Sequence, residues 1–254
     1  MPNPFGVFRT VGWRTFFPRG AGPGRVPDSL KRLAGEAAVE EVKDGMTVGL
    51  GTGSTAAFAI RALGERVRTR GWRILGVATS TATEELAGSV GIPLVALDDL
   101  EAVDVAIDGA DEVDPKLNLI KGAGGALFRE KVVARAAAKV VIVVDASKLV
   151  PQLGTKAPVP VEVHPYGWRQ TKKVLEELWC TATLRMAGNA PYRTDNGNLV
   201  LDCKFGPIPK PDKLEREINN VPGVLENGLF IGLANLVIVA GPDGVRRIPS
   251  PLGV

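Results

Sequence analysis

Short apolar runs alternate with helical stretches along most of this chain, and glycine, hydroxyl or acidic turns join them. That alternation limits the fold to an α/β architecture. Asp28 or Ser29 can cap a helix reaching Val42, with Leu30, Leu33, Ala34, Ala37, Ala38 and Val42 near one face. Residues 46–50 read as a buried strand, 51–54 as a turn, and the following residues as a helix to about Arg68. Strands are predicted over 72–78, 93–97, 103–107 and 140–144, with helices over 82–89 and 126–139. Strands that alternate with helices pair in parallel and need cover on both faces.

The rhythm changes after Asp145. A strand over 158–163, a helix over 167–178, strands over 181–186 and 199–205 flanking the turn at 194–198, a helix over 212–220 and an extended stretch over 223–230 follow in order. This β-α-β-β-α-β succession predicts a split βαβ module, a small α+β unit. Residues 236–240 read as a last strand able to rejoin the first sheet.

Composition removes several classes of function. A hydrophobic fraction of 45% and a charged fraction of 23% are those of an ordinary globular protein. A net charge of +3 is too small to imply nucleic acid and suits local sites for a small anion. No apolar run approaches the roughly 20 residues that span a bilayer, so no membrane partner is expected. The one histidine, His164, argues against His-based metal sites and Ser-His-Asp chemistry. Cys180 and Cys203 lie far apart in sequence with no CxxC, and are read as reduced thiols of a cytoplasmic protein, with a disulfide or metal pair as the other reading. Residues 1–27 carry Arg9, Arg14, Arg19 and Arg25 and no acid. They are read as a poorly ordered leader, or one upstream of a true start near Val26, with a targeting or packing role as the alternative.

Residues 51–56, GTGSTA, match G-x-G-x-x-A between a strand and a helix. A dinucleotide site also wants an acid at the end of the second strand, and Ala78-Thr79-Ser80 supplies none. Thr52, Ser54 and Thr55 instead surround a helix N-terminus, where unpaired N–H groups and a positive dipole end suit a phosphate monoester. A capping turn without ligand remains the bland reading.

The segment 103–131, VDVAIDGADEVDPKLNLIKGAGGALFREK, brings acids, an ammonium and free N–H groups to the ends of consecutive elements. Asp108 and Asp111 follow a buried strand and either orient substrate hydroxyls or merely form a turn. Asp98, Asp99 and Glu101 are read as solvated. Lys121, before Gly122, Gly124 and Gly125, can hold an oxyanion beside bare N–H groups, or is a surface lysine. Glu130 is sharper. On a helix its neighbours three and four residues away are Ala126, Leu127, Val133 and Ala134, whereas Lys131, Arg135 and Lys139 share a face read as solvated. A carboxylate on an apolar stripe must be paired or turned into a cleft, and burial raises its pKa towards the useful range for proton transfer. It is read as a general base, with a structural pair to Arg129, Lys121 or a distant base as the alternative.

In this order the motifs resemble the type A ribose-5-phosphate isomerase family. They are GLGTGSTA at 49–56, TSTATEELA at 79–87, IDGADEVD at 107–114, LIKGAGGALFREKVV at 119–133, DASK at 145–148, PVPVEV at 158–163, TDNGN at 194–198 and AGPDGV at 240–245. The resemblance implies an aldose–ketose isomerase acting on a pentose phosphate without metal or organic cofactor. It also implies a Rossmann-like, mostly parallel sheet (28–154 with 229–254) holding an inserted ferredoxin-like α+β domain (155–228), and a homodimer or homotetramer. It carries a phosphate role to Thr52, Gly53, Ser54 and Thr55 and, less directly, to Lys31. It carries sugar contacts to Asp108, Gly109, Ala110, Asp111, Lys121, Gly122, Ala123, Gly124 and Lys148, and the proton acceptor to Glu130. Competing expectations are a non-catalytic sugar-phosphate-binding domain, a related deaminase or lactonase, and a nicotinamide dehydrogenase. Four positions depart from the pattern: Ala123 where glycine is frequent, His164 where an apolar residue is usual, and Trp179-Cys180 where Gly-Gly is common.

Overall fold

The structure, a computed structural model, describes residues 27–251, so the reading of the basic leader lies outside the described residues. The chain opens with α1 (Asp28–Ala38), β1 (Thr47–Leu50), α2 (Ala56–Arg70), β2 (Leu75–Ala78), α3 (Thr81–Ser89) and β3 (Val103–Asp108). Two-residue strands β4 (Glu112–Val113) and β5 (Leu119–Ile120) come next, then α4 (Leu127–Ala136) and β6 (Ala137–Asp145). The small unit holds β7 (Val159–Val163), α5 (Trp168–Glu176), β8 (Thr181–Leu184), the hairpin β9 (Met186–Ala187) and β10 (Ala190–Pro191), β11 (Leu199–Lys204), α6 (Pro211–Asn219) and β12 (Val224–Asn227). The chain returns through β13 (Leu229–Phe230), β14 (Leu236–Gly241) and β15 (Gly244–Pro249).

The main sheet has the order β15-β14-β6-β3-β1-β2, parallel except for the edge strand β15. Its central strands are buried on both faces, which is why they read as continuous apolar runs rather than alternating ones. Val48, Leu50, Val105, Ile107, Val141 and Val143 face α1, α2 and α3, while Ala106 faces Val133 of α4 on the other side. β14 rejoins this sheet beside β6, as its apolar run predicts.

The small sheet has the order β12-β7-β11-β8, with every neighbouring pair antiparallel. With α5 and α6 this is the ferredoxin-like arrangement, and it has its own core around Val161, Leu175, Leu201 and Ile218. β13 pairs with β5, and β5 with β4, so a three-stranded ribbon joins the two parts.

Three expectations need correction. The helix predicted over 126–139 stops at Ala136, because Ala137 and Lys139 are drawn into register with Val103 and Val105 of β3. Residues 93–97 form only an isolated bridge from Leu94 to Gly76 and then a 3-10 turn (Leu97–Asp99). Pro93 has no N–H for a ladder, and its carbonyl takes the Gly76 N–H at 2.8 Å. Lys131 is buried rather than solvated. Its ammonium lies 2.7 Å from Glu226 and from the Asn227 carbonyl, because β12 covers the side of α4 that periodicity alone leaves open.

Candidate active site

A cavity of about 210 Å³ opens at the carboxyl ends of β1, β3 and β6. It is walled by Thr52–Thr55, Gly109–Asp111, Lys121–Gly124, Glu130, Val144 and Lys148. Parallel sheets place ligands at this edge, because each strand here hands its chain to a turn.

The turn after β1 runs against β3. The Gly51 N–H donates to the Ile107 carbonyl at 2.9 Å, and a Cβ on Gly51 would lie 2.2 Å from Asp108 Oδ1. Only glycine lets the two strand ends approach so closely. The Thr52 N–H donates to Asp108 at 3.1 Å. The Thr52 hydroxyl meets the hydroxyls of Thr79 and Ser80, each at 2.8 Å. Thr83 closes this group by donating to the Gly51 carbonyl at 3.0 Å. The Thr79-Ser80 pair that replaces a nucleotide-binding acid is thus the mount of the Gly51–Thr55 turn. α2 starts here with no side-chain cap; its Ala57 and Phe58 N–H groups donate to the Gly53 and Thr55 carbonyls at 3.0 and 3.1 Å, which leaves the N–H groups of Ser54, Thr55 and Ala56 to an anion.

On the opposite wall Lys121 is the centre of a buried triad. Its ammonium lies 2.9 Å from Asp108 Oδ2, 3.1 Å from Glu130 Oε2 and 2.6 Å from the Gly109 carbonyl. All three side chains are nearly inaccessible, Lys121 at 3% and Glu130 at 5% exposure. The two carboxyls are unequal. Asp108 also accepts the N–H groups of Gly109 at 2.7 Å and of Thr52 at 3.1 Å. Glu130 Oε2 faces the ammonium at an angle that makes no hydrogen bond and has no other donor.

Burial, then the negative charge of Asp108, push Glu130 up to about 8, against the pull of Lys121. Burial raises Asp108 as well, opposed by Lys121 and the two N–H groups. Lys121 lies above its ordinary value: the two carboxylates beside it outweigh its desolvation, so it stays an ammonium. Two carboxyls compete for one cation, and the less satisfied one is poised to exchange a proton near neutral pH. Of the bases considered for Glu130, Lys121 is the partner. Arg129 turns away to Asn196 at 3.0 Å and Glu84 at 3.6 Å.

Asp111 reaches the cavity but also accepts the Ala123 N–H at 2.9 Å, so part of its role is to shape the glycine loop. Lys148 sits on a 3-10 turn (Ala146–Lys148) capped by Asp145, whose carboxylate accepts the Ser147 N–H at 2.8 Å. Lys31 does not line the cavity. It pairs with Asp28 at 3.4 Å, one helical turn before Gly35, which packs against the Thr55 carbonyl. Asp98, Asp99 and Glu101 are exposed, as read. His164 is exposed, and its Nδ1 accepts the Tyr166 N–H. Cys180 and Cys203 are free thiols. Among the described residues no group of three or more His, Cys, Asp or Glu is placed to hold a metal.

Sequence reasoning missed Val144 in the cavity wall, since an apolar strand end carries no chemical signal. It also missed Arg185 and Tyr192, which reach the glycine loop from the small unit. Their only cue is position beside the 194–198 turn.

The family model for ribose 5-phosphate isomerase A (phosphoriboisomerase A) matches residues 75–244. Ribose-5-phosphate isomerase A of Synechococcus sp. (strain JA-3-3Ab) is 52% identical over 223 residues, covering 87% of this chain and 97% of that protein. The protein of the same name from Chloroflexus aurantiacus is 51% identical over 225 residues, covering 88% and 94%. Among solved structures, ribose 5-phosphate isomerase A from Methanocaldococcus jannaschii superposes with a TM-score of 0.84 at 45% identity, covering 87% of this chain and 99% of that one. A D-ribose-5-phosphate isomerase in complex with phospho-erythronic acid superposes with a TM-score of 0.85 at 42% identity, covering 89% and 100%.

Proposed function

This chain belongs to the ribose 5-phosphate isomerase A family, and from that premise we propose how its cavity interconverts D-ribose 5-phosphate and D-ribulose 5-phosphate. The observation that carries the mechanism is Glu130: a buried carboxyl raised to about 8, facing the cavity and only partly satisfied by Lys121. A base with a pKa near the working pH balances being ionised against driving proton transfer.

The phosphate sits on the N-terminus of α2, beside Ser54 and Thr55, and holds the open-chain sugar in register. Glu130 removes the proton from C2 of the aldose and returns it to C1. The C2 bond pair becomes the double bond of a cis-enediolate while negative charge moves onto the carbonyl oxygen O1; as C1 is protonated, the O2 hydroxyl proton passes to O1 and C2 becomes the ketose carbonyl. Lys121, a fixed ammonium in a dry site, stabilises that charge, assisted by N–H groups of the glycine loop. Asp108 keeps Lys121 aimed, and Asp111 and Lys148 take substrate hydroxyls. Phospho-erythronic acid, bound in a similar isomerase, joins a phosphate to a carboxylate, which suits an anion anchor opposite an oxyanion site. The protein is proposed to work as a homodimer or homotetramer in the cytoplasm, a state that light scattering on a size-exclusion column would read.

The deciding assay is ribose 5-phosphate turnover with EDTA present and no nicotinamide added. Ketose formation is expected. Its absence would return the chain to a sugar-phosphate-binding role, and a requirement for metal or nicotinamide would overturn the proton-transfer scheme.

A further inference from the structure

The loop at Lys121–Gly124 supplies the ammonium and backbone donors of the oxyanion site, yet its own sequence does little to hold it. Gly122 and Gly125 lie at φ +106° and +81°, where few side chains stabilise the backbone. Beyond a turn bond from the Gly125 N–H to the Gly122 carbonyl at 3.0 Å and the Asp111 contact to the Ala123 N–H, the hold comes from the small unit. Arg185, directly after β8, is anchored by its own backbone, whose N–H donates to Val200 at 2.9 Å and whose carbonyl accepts from Tyr192 at 2.9 Å. One edge of its guanidinium grips Asp202 of β11 through Nε at 2.9 Å and Nη2 at 2.5 Å. The other edge, Nη1, donates to the Gly122 carbonyl at 2.8 Å and the Ala123 carbonyl at 3.1 Å. Tyr192 Oη donates to the next carbonyl, that of Gly124, at 3.2 Å, with its ring 5.8 Å from the guanidinium. Tyr192 also fills the space where a Cβ on Gly125 would stand, 2.1 Å from its oxygen.

Three consecutive carbonyls are therefore capped from outside the cavity's own sheet. Because a trans peptide sets its N–H opposite its carbonyl, fixing the Ala123 carbonyl on Arg185 also fixes the Gly124 N–H to point away from Arg185. The Ala123 N–H is already taken by Asp111. Asp202 spreads and immobilises the guanidinium fork, a geometry a lysine cannot reproduce.

We infer that Arg185 is a positioning residue for the isomerisation: it pins the glycine-loop carbonyls outward so that Lys121 and the Gly124 N–H stand where charge develops on the substrate oxygen. This rests on the isomerase reading. It assigns the small unit a part in the chemistry although it gives no side chain to the cavity wall.

The test compares Arg185→Ala, Arg185→Lys and Tyr192→Phe with the parent. Misplacement of such a group by about 1 Å lowers rates roughly 10²-fold. Arg185→Ala should lose about that factor in kcat with KM changed by less than about threefold. Competitive inhibition by inorganic phosphate, which probes only the α2 anchor, should be unchanged. Arg185→Lys should recover part of kcat, and Tyr192→Phe, which removes one hydroxyl donor, should lose a few-fold. An Arg185→Ala enzyme with kcat within twofold of the parent overturns the proposal. So does a loss of kcat accompanied by equal weakening of phosphate inhibition and a collapsed melting temperature, if Arg185→Lys and Tyr192→Phe keep parental kcat. If the parent itself fails to turn over ribose 5-phosphate, it is the isomerase reading that falls, a separate outcome.

Discussion

Glu130→Gln should produce an enzyme that is nearly inactive and yet more stable than the parent, with the gain appearing only as pH rises. In the unfolded chain Glu130 gives up its proton from about its ordinary 4.5 upward, whereas in the fold it does so only near 8. Between those values the folded state holds more protons, so the parent loses stability as pH increases. At about 1.4 kcal/mol per pH unit, the full interval is worth about 5 kcal/mol. Glutamine fills the same volume and carries no such burden. Part of the gain is returned, because buried Lys121 keeps Asp108 but loses its second carboxylate, leaving a net of about 2–4 kcal/mol. For a chain of this size that is an increase of roughly 5–15 °C in melting temperature at pH 9 relative to the difference at pH 5. Calorimetry across pH 5–9 reads it directly, and kcat should fall by about 10²–10⁴ in parallel. A stability difference that stays flat over this range, or turnover within tenfold of the parent, would show that Glu130 is neither the strained group nor the base.

The acid limb of kcat/KM should report an apparent pKa near 8, well above the ordinary carboxylate range, and Asp108→Asn should move it down by removing the neighbouring charge that raises Glu130; a limb at 4–5 in the parent refutes the assignment. Gly51→Ala should cost about 1–3 kcal/mol or more and depress kcat, because its Cβ would meet Asp108 at 2.2 Å, whereas Gly109→Ala, with only the Val143 carbonyl at 3.9 Å, should leave the melting temperature nearly unchanged. Lys31→Ala should raise KM several-fold with kcat retained, if the ammonium leaves Asp28 for the substrate phosphate; steady-state kinetics with ribose 5-phosphate decides it, and an unchanged KM removes Lys31 from the site.

Much of this protein is legible in one dimension, because some of its physics is local. Strands buried on both faces must be continuously apolar, so β1, β3, β6 and β14 stand out. A glycine-hydroxyl turn before a helix must expose N–H groups, so the α2 anchor does too. Glu130 was legible because helical spacing alone puts it among Ala126, Leu127, Val133 and Ala134. Where helix and strand compete, local signals failed. Residues 137–139 continue a helical pattern in sequence and join a strand in space, since pairing with β3 outweighs helix propensity.

What tertiary structure decided are the distances and the covers. The sequence by itself named the acids, the lysine and the glycine loop. Only folding brings Asp108 and Glu130 within 3.1 Å of the Lys121 ammonium and buries Glu130 away from the water that would otherwise keep it an ordinary acid. Lys131, the residue after Glu130 and on a face that periodicity marks as solvated, is buried because β12 arrives from 95 residues downstream. The grip of Arg185 on a loop 62 and 63 residues earlier is of the same kind. Periodicity records which side of an element is apolar, but the partner on the other side, and hence the pKa of the base and the aim of the oxyanion donors, is set by contacts between segments that the chain keeps far apart.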